Sequence, residues 1–76
     1  MAKKYSVKFT THYAKDWRQH AKLTLEEAAD RMGRSHATIS RIENRKIALT
    51  QPILDEMARV YGTSRGAILD RPPDKD

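Results

Sequence analysis

Residues 24–35, TLEEAADRMGRS, constrain the fold of this chain more than any other stretch, because one helix starts and stops and the next begins inside it. Thr24 followed three residues later by Glu27 is a capping box: each side chain satisfies an amide that a helix start leaves orphaned, so a helix begins here. It runs through Ala28, Ala29 and Met32 and stops at Gly33, since a left-handed residue at a helix end favours glycine, which has no Cβ to clash. Ser35 then caps the next helix, and the link between the two is only Gly33 and Arg34. Helices joined this tightly must cross at a steep angle. Ile39 and Ile42 give the later helix an anchoring face. His36, Ala37, Ser40 and Arg41 are left on the other side, with Asn44, Arg45 and Lys46 just beyond its end.

The remaining signals predict a compact all-α bundle of five helices. A chain of 76 residues makes one domain and buries only about 60% of its unfolded surface, so one apolar cluster is all it holds. Residues 1–9, MAKKYSVKF, read as a flexible basic N-terminal arm in which Tyr5, Val7 and Phe9 alternate at strand period with nothing obvious to pair with. The helical domain is expected over residues 10–70. Thr10 or Thr11 caps a first helix through about Ala21, with Tyr13, Ala14, Trp17 and Ala21 on one face and Trp17 as the large core residue. After the third helix, the apolar end of Ile47, Ala48 and Leu49 tucks under the domain. Thr50 or Gln51 caps a fourth helix, Pro52 fits its first turn, and Ile53, Leu54, Met57, Ala58, Val60 and Tyr61 form its apolar stripe up to Gly62. Ser64 caps a short fifth helix carrying Ala67, Ile68 and Leu69, and residues 71–76, RPPDKD, have the composition of a disordered tail.

Composition narrows the chemistry. With no cysteine there is no disulfide and no thiolate metal site, which suits a reducing cytoplasm, and His12, His20 and His36 have no metal-ligand spacing. No apolar run approaches the roughly 20 residues that span a bilayer, and the N-terminus leads into no apolar signal core, so neither a membrane nor export is expected. There is no Ser-His-Asp arrangement with a nucleophile elbow, no phosphate loop and no HExxH; an enzyme is not expected, nor any cofactor. The net charge of +5 is unevenly spread. Residues 1–48 hold eleven basic and five acidic side chains, and residues 49–76 four and five. The basic half should face a polyanionic partner.

Five helices with the second and third joined by a glycine turn suit a helix-turn-helix reader of DNA. At LTLEEAADRMGRSHATISRIENRK, followed by PILDEMARVYGTSRGAIL, the chain resembles the lambda-repressor-like, Xre/Cro-type helix-turn-helix family, over roughly residues 13–69. The resemblance implies that Ala29 is small where the third helix crosses the second, and that Met32, Ile39 and Ile42 fill the wedge between them. It also implies that the third helix enters the major groove, with His36, Ala37, Ser40 and Arg41 facing base edges. Arg41 is the strongest candidate, because a guanidinium fork matches the two acceptors of guanine. Phosphate contacts are assigned to Arg18, Lys22, Arg34, Thr38, Asn44, Arg45 and Lys46. Two positions depart from the family pattern. Leu25 stands where a phosphate-reaching glutamine is common, and Arg34 stands where an aliphatic residue usually packs inward, so Arg34 is expected to point at DNA. The family further implies a pair between Arg18 and Glu43 that locks the third helix.

The function so implied is that of a sequence-specific transcriptional regulator of double-stranded DNA, a repressor on a palindromic operator, acting as a homodimer in the cytoplasm at the nucleoid. Tyr61, Ala67, Ile68 and Leu69 are the expected exposed apolar dimer interface. The arm, with Lys3, Lys4 and Lys8, would enter the minor groove or add a strand across the dimer. The alternative is an antitoxin or interaction module whose main partner is a protein, a toxin or effector, with operon autoregulation secondary.

Overall fold

The structure, a computed structural model, describes residues 8, 9 and 11–74. Along the chain come β1 (Lys8–Phe9), α1 (Ala14–His20), α2 (Leu25–Met32), α3 (His36–Glu43), β2 (Leu49–Thr50), α4 (Gln51–Tyr61) and α5 (Arg65–Asp70). The domain is the expected five-helix, all-α arrangement. α4 lies at its centre, packed on α1, α2 and α5, while α3 rests on α2. Ile39, Ile42, Leu49, Leu54, Met57 and Ile68 are fully buried in one cluster. Each contributes about 1.5–3 kcal/mol by leaving water, which is why so short a chain can hold five helices in place.

The start of α2 follows its local signals. Thr24 Oγ1 accepts the Glu27 amide at 3.1 Å, and Glu27 Oε1 accepts the Thr24 amide at 2.8 Å. The first helix does not. It starts at Ala14, its N-cap Tyr13 makes no side-chain capping bond, and Thr11 is exposed; Thr10 lies outside the described residues. The acceptor is instead His12, whose Nδ1 takes the Ala14 amide at 3.3 Å, while the Tyr13 amide donates to the Ile68 carbonyl at 2.7 Å. Burial of His12 against the domain puts an imidazole where a threonine was expected. α4 has Thr50 at its N-cap without a side-chain bond, and α5 is capped by Ser64, which accepts the Ala67 amide at 3.1 Å.

Three expectations change once the helices pack. The end of the arm has a partner after all: β1 pairs antiparallel with β2, Lys8 opposite Thr50 and Phe9 opposite Leu49, a contact between segments too distant in sequence for periodicity to reveal. Tyr5 and Val7 lie outside the described residues. Trp17 is half-buried, because its indole N–H donates to the carbonyls of Ala67 at 3.2 Å and Arg71 at 2.9 Å, which keeps the ring at the rim of the core. Tyr61, Ala67 and Ile68, expected as an exposed apolar face, are buried in the domain's own core, since α5 folds back on α4; Leu69 alone of that set is partly exposed. Of the connection after α3, Leu49 is buried and Ile47 is not.

Candidate nucleic-acid interface

The angle between α2 and α3 is set by the two-residue link. Gly33 is left-handed at φ 67°, and the Arg34 amide reaches back to the Ala29 carbonyl at 2.9 Å. Ser35 then turns the chain into α3, its Oγ accepting the amides of Ala37 at 3.1 Å and Thr38 at 3.4 Å. Ala29, Met32, Ile39 and Ile42 are all buried between the helices, so the face of α3 that meets α2 is apolar, and among the described residues the opposite face is left open. On that free side His36 and Arg41 are exposed, and Ala37 and Ser40 are half-buried. Neither His36 nor Arg41 forms a side-chain hydrogen bond among the described residues, whereas Ser40 Oγ accepts from Asn44 Nδ2 at 3.3 Å.

The expected Arg18–Glu43 pair is present and bidentate, Nε to Oε2 at 2.7 Å and Nη2 to Oε1 at 3.1 Å. The two side chains are only 11% and 5% exposed, and Arg18 Nη1 also donates to the Leu23 carbonyl at 2.9 Å. The bond to Glu43 raises the Arg18 pKa still further. Arg18 is therefore turned inward and is structural, not a surface cation awaiting a phosphate. Tyr61 lies near this pair with its hydroxyl buried and unpartnered among the described residues; burial, and then the Glu43 charge, push its pKa upward.

The other expected phosphate contacts divide. Lys22 and Lys46 are exposed and make no side-chain hydrogen bond among the described residues, and Thr38 is half-buried in the first turn of α3. Asn44 is exposed and bonded to Ser40. Arg34 does not point freely outward: its Nε donates to Glu56 Oε1 at 2.8 Å, a tie from the turn to α4 that an aliphatic residue would replace by packing. Arg45 is exposed, yet its Nη2 donates to the His12 carbonyl at 3.1 Å. Leu25, in place of the glutamine, packs against the core.

Sequence reasoning did not find His12, which is only 4% exposed, with Nε2 unpartnered among the described residues. Burial lowers its pKa, the Arg45 charge lowers it further, and the Ile42 carbonyl and Glu43 partly oppose them. Nor did it anticipate the open cleft between α2 and the start of α3, where Glu26 and Asp30 share a wall with His36. Their helical spacing was a signal in the sequence, but a face with carboxylates four positions apart reads equally well as solvated surface.

A family model for the helix-turn-helix domain matches residues 12–69, spanning α1 to α5. The chain belongs to the helix-turn-helix domain family. No match was found among curated proteins or among solved structures. The match fits an Xre/Cro-like member, and in this helix-turn-helix α2 and α3 are the paired helices, with α3 presenting the free polar face. Among the described residues no helix is long and apolar enough to cross a membrane, and no group of three or more His, Cys, Asp or Glu side chains is placed to hold a metal.

Proposed function

We propose that this DNA-binding regulator is a sequence-specific repressor that seats α3 in the major groove of a palindromic operator as a homodimer, in the cytoplasm at the nucleoid. The observation that carries the reading is the free face of α3: Arg41 and His36 exposed beside Ala37 and Ser40, on a helix held from behind by Ile39, Ile42 and the Arg18–Glu43 pair. A guanidinium in that position matches the O6 and N7 acceptors of guanine, and an alanine methyl suits a thymine methyl. Lys22, Thr38, Asn44 and Lys46 would then bind phosphates and set the salt dependence. Dimerisation rests on mechanism: one helix reads only a few base pairs, and two copies about 34 Å apart on one DNA face multiply the discrimination. Leu69 and Phe9, both partly exposed beside Leu54, Gln51 and Arg65, offer an apolar surface for that contact.

Selection from a random duplex pool at stated salt, followed by titration of the selected site, tests the reading. Recovery of an inverted repeat bound by two protomers supports it. A protein that selects no sequence, and whose amide signals do not move on adding duplex at low ionic strength, removes it.

A further inference from the structure

Four helices end in the same way. At each end a left-handed residue is followed by one whose amide returns to a carbonyl of the last turn: Leu23 to Arg18 at 3.3 Å, Arg34 to Ala29 at 2.9 Å, Lys46 to Arg41 at 2.8 Å and Thr63 to Ala58 at 3.0 Å. The left-handed residues are Lys22 (φ 61°), Gly33 (φ 67°), Arg45 (φ 61°) and Gly62 (φ 69°). Glycine adopts this conformation without penalty, whereas a residue with a Cβ is strained in it. A residue with a Cβ held there is a reason to ask what its side chain does.

For Arg45 the structure shows a task. Its guanidinium reaches the carbonyl of His12, and the ring of the same His12 holds the first amide of α1. Two residues earlier, Glu43 grips Arg18 in α1. The C-terminal end of α3 is thus fastened to α1 at two separate points, before the helix begins and along its length. Lys22 has the same backbone but no such bond among the described residues, so it is a built-in control.

We propose that Arg45 is a positioning residue, which sets the angle of α3 by tying its end to His12 instead of touching a phosphate. The proposal rests on the DNA-binding reading above and deepens it. Lys22→Gly and Arg45→Gly, with Arg45→Asn as a second variant because asparagine tolerates the left-handed region, separate the possibilities. Thermal unfolding should show Tm rising for Lys22→Gly, where strain is relieved, and falling for Arg45→Gly, where the tie is lost. On the selected operator Arg45→Gly and Arg45→Asn should each lose roughly tenfold in affinity, equivalent to one good contact, with a smaller loss on random duplex and an unchanged salt slope. Equal losses on both duplexes with the slope reduced by about one would make Arg45 a phosphate contact and overturn the proposal. A Tm that rises for Arg45→Gly as it does for Lys22→Gly would overturn it too. A wild-type chain that binds no duplex removes the DNA reading alone, and the sign of the Arg45→Gly shift then decides the tie.

Discussion

The two ends of α3 are built to opposite rules. Its first turn is capped by Ser35 and otherwise open, with His36 exposed and the cleft of Glu26 and Asp30 beside it. Its last turn is buried at Ile42, clamped by Arg18 through Glu43 and followed at once by the Arg45 link to His12. The difference teaches where such a domain spends its stability. On the proposed reading, rigidity is placed behind the reading end, so that side chains meeting a base edge would be carried by a helix fastened from behind. Those side chains contribute little to the fold and can change without endangering it.

The largest effect should come from breaking the clamped end. Glu43→Ala leaves the Arg18 guanidinium buried without its partner and is expected to cost about 3–5 kcal/mol in urea unfolding. Replacing both members together, Arg18→Met with Glu43→Leu, should recover much of that loss, because the burial of an unpaired charge is what hurts. If the single and double variants are equally unstable, the pair is not the origin of the clamp's strength.

At the open end the cost should fall on binding instead. Arg41→Ala is expected to leave the unfolding midpoint unchanged and to weaken the selected operator by about 1–3 kcal/mol, relaxing preference at one base position. Lys46→Ala should weaken every duplex similarly and lower the salt slope by about one. A change in stability for Arg41→Ala comparable to that of Glu43→Ala would erase the contrast between the two ends.

His12 makes the clamped end sensitive to acid. Its pKa is lowered in the folded chain by burial and by Arg45, so the folded state binds the proton less readily than the unfolded state does. The neutral ring therefore contributes stability that is complete above the ordinary value of 6.5 and is lost as pH falls from there toward the lowered folded value. Chemically induced unfolding followed from pH 7.5 to 5 should show that decline. His12→Asn, which keeps an acceptor for the Ala14 amide but cannot titrate, should flatten it; an equally steep decline in the variant would assign the acid sensitivity elsewhere.

The smallest effect is expected for the Arg34–Glu56 pair, whose side chains remain 35% and 31% exposed. Arg34→Ala should cost less than about 1 kcal/mol in stability, and less still at high salt. A larger loss would mean that the turn needs this tie to hold the α2–α3 angle, which the buried contacts of Ala29, Met32, Ile39 and Ile42 otherwise account for.

What could be read beforehand follows from the range of the forces involved. The capping box of Thr24 and Glu27, the Ser35 cap and the Gly33 and Gly62 turns each depend on a few neighbouring backbone groups, so twelve or so residues of text suffice to place them. The Arg18–Glu43 pair was visible only through the family pattern, since nothing local links the two positions. The exposure of Tyr61, Ala67 and Ile68 was misjudged because an apolar stripe does not say whether its own chain or another covers it. By itself, then, the order of residues determined the helices, their stops and the tight joint between the second and third, because backbone hydrogen bonding and the Cβ clash act over single turns. Only the tertiary structure decided that Phe9 finds a strand partner, that Arg34 reaches Glu56, and that Arg45 turns back to a buried His12. Those contacts join segments whose meeting depends on how the whole core closes.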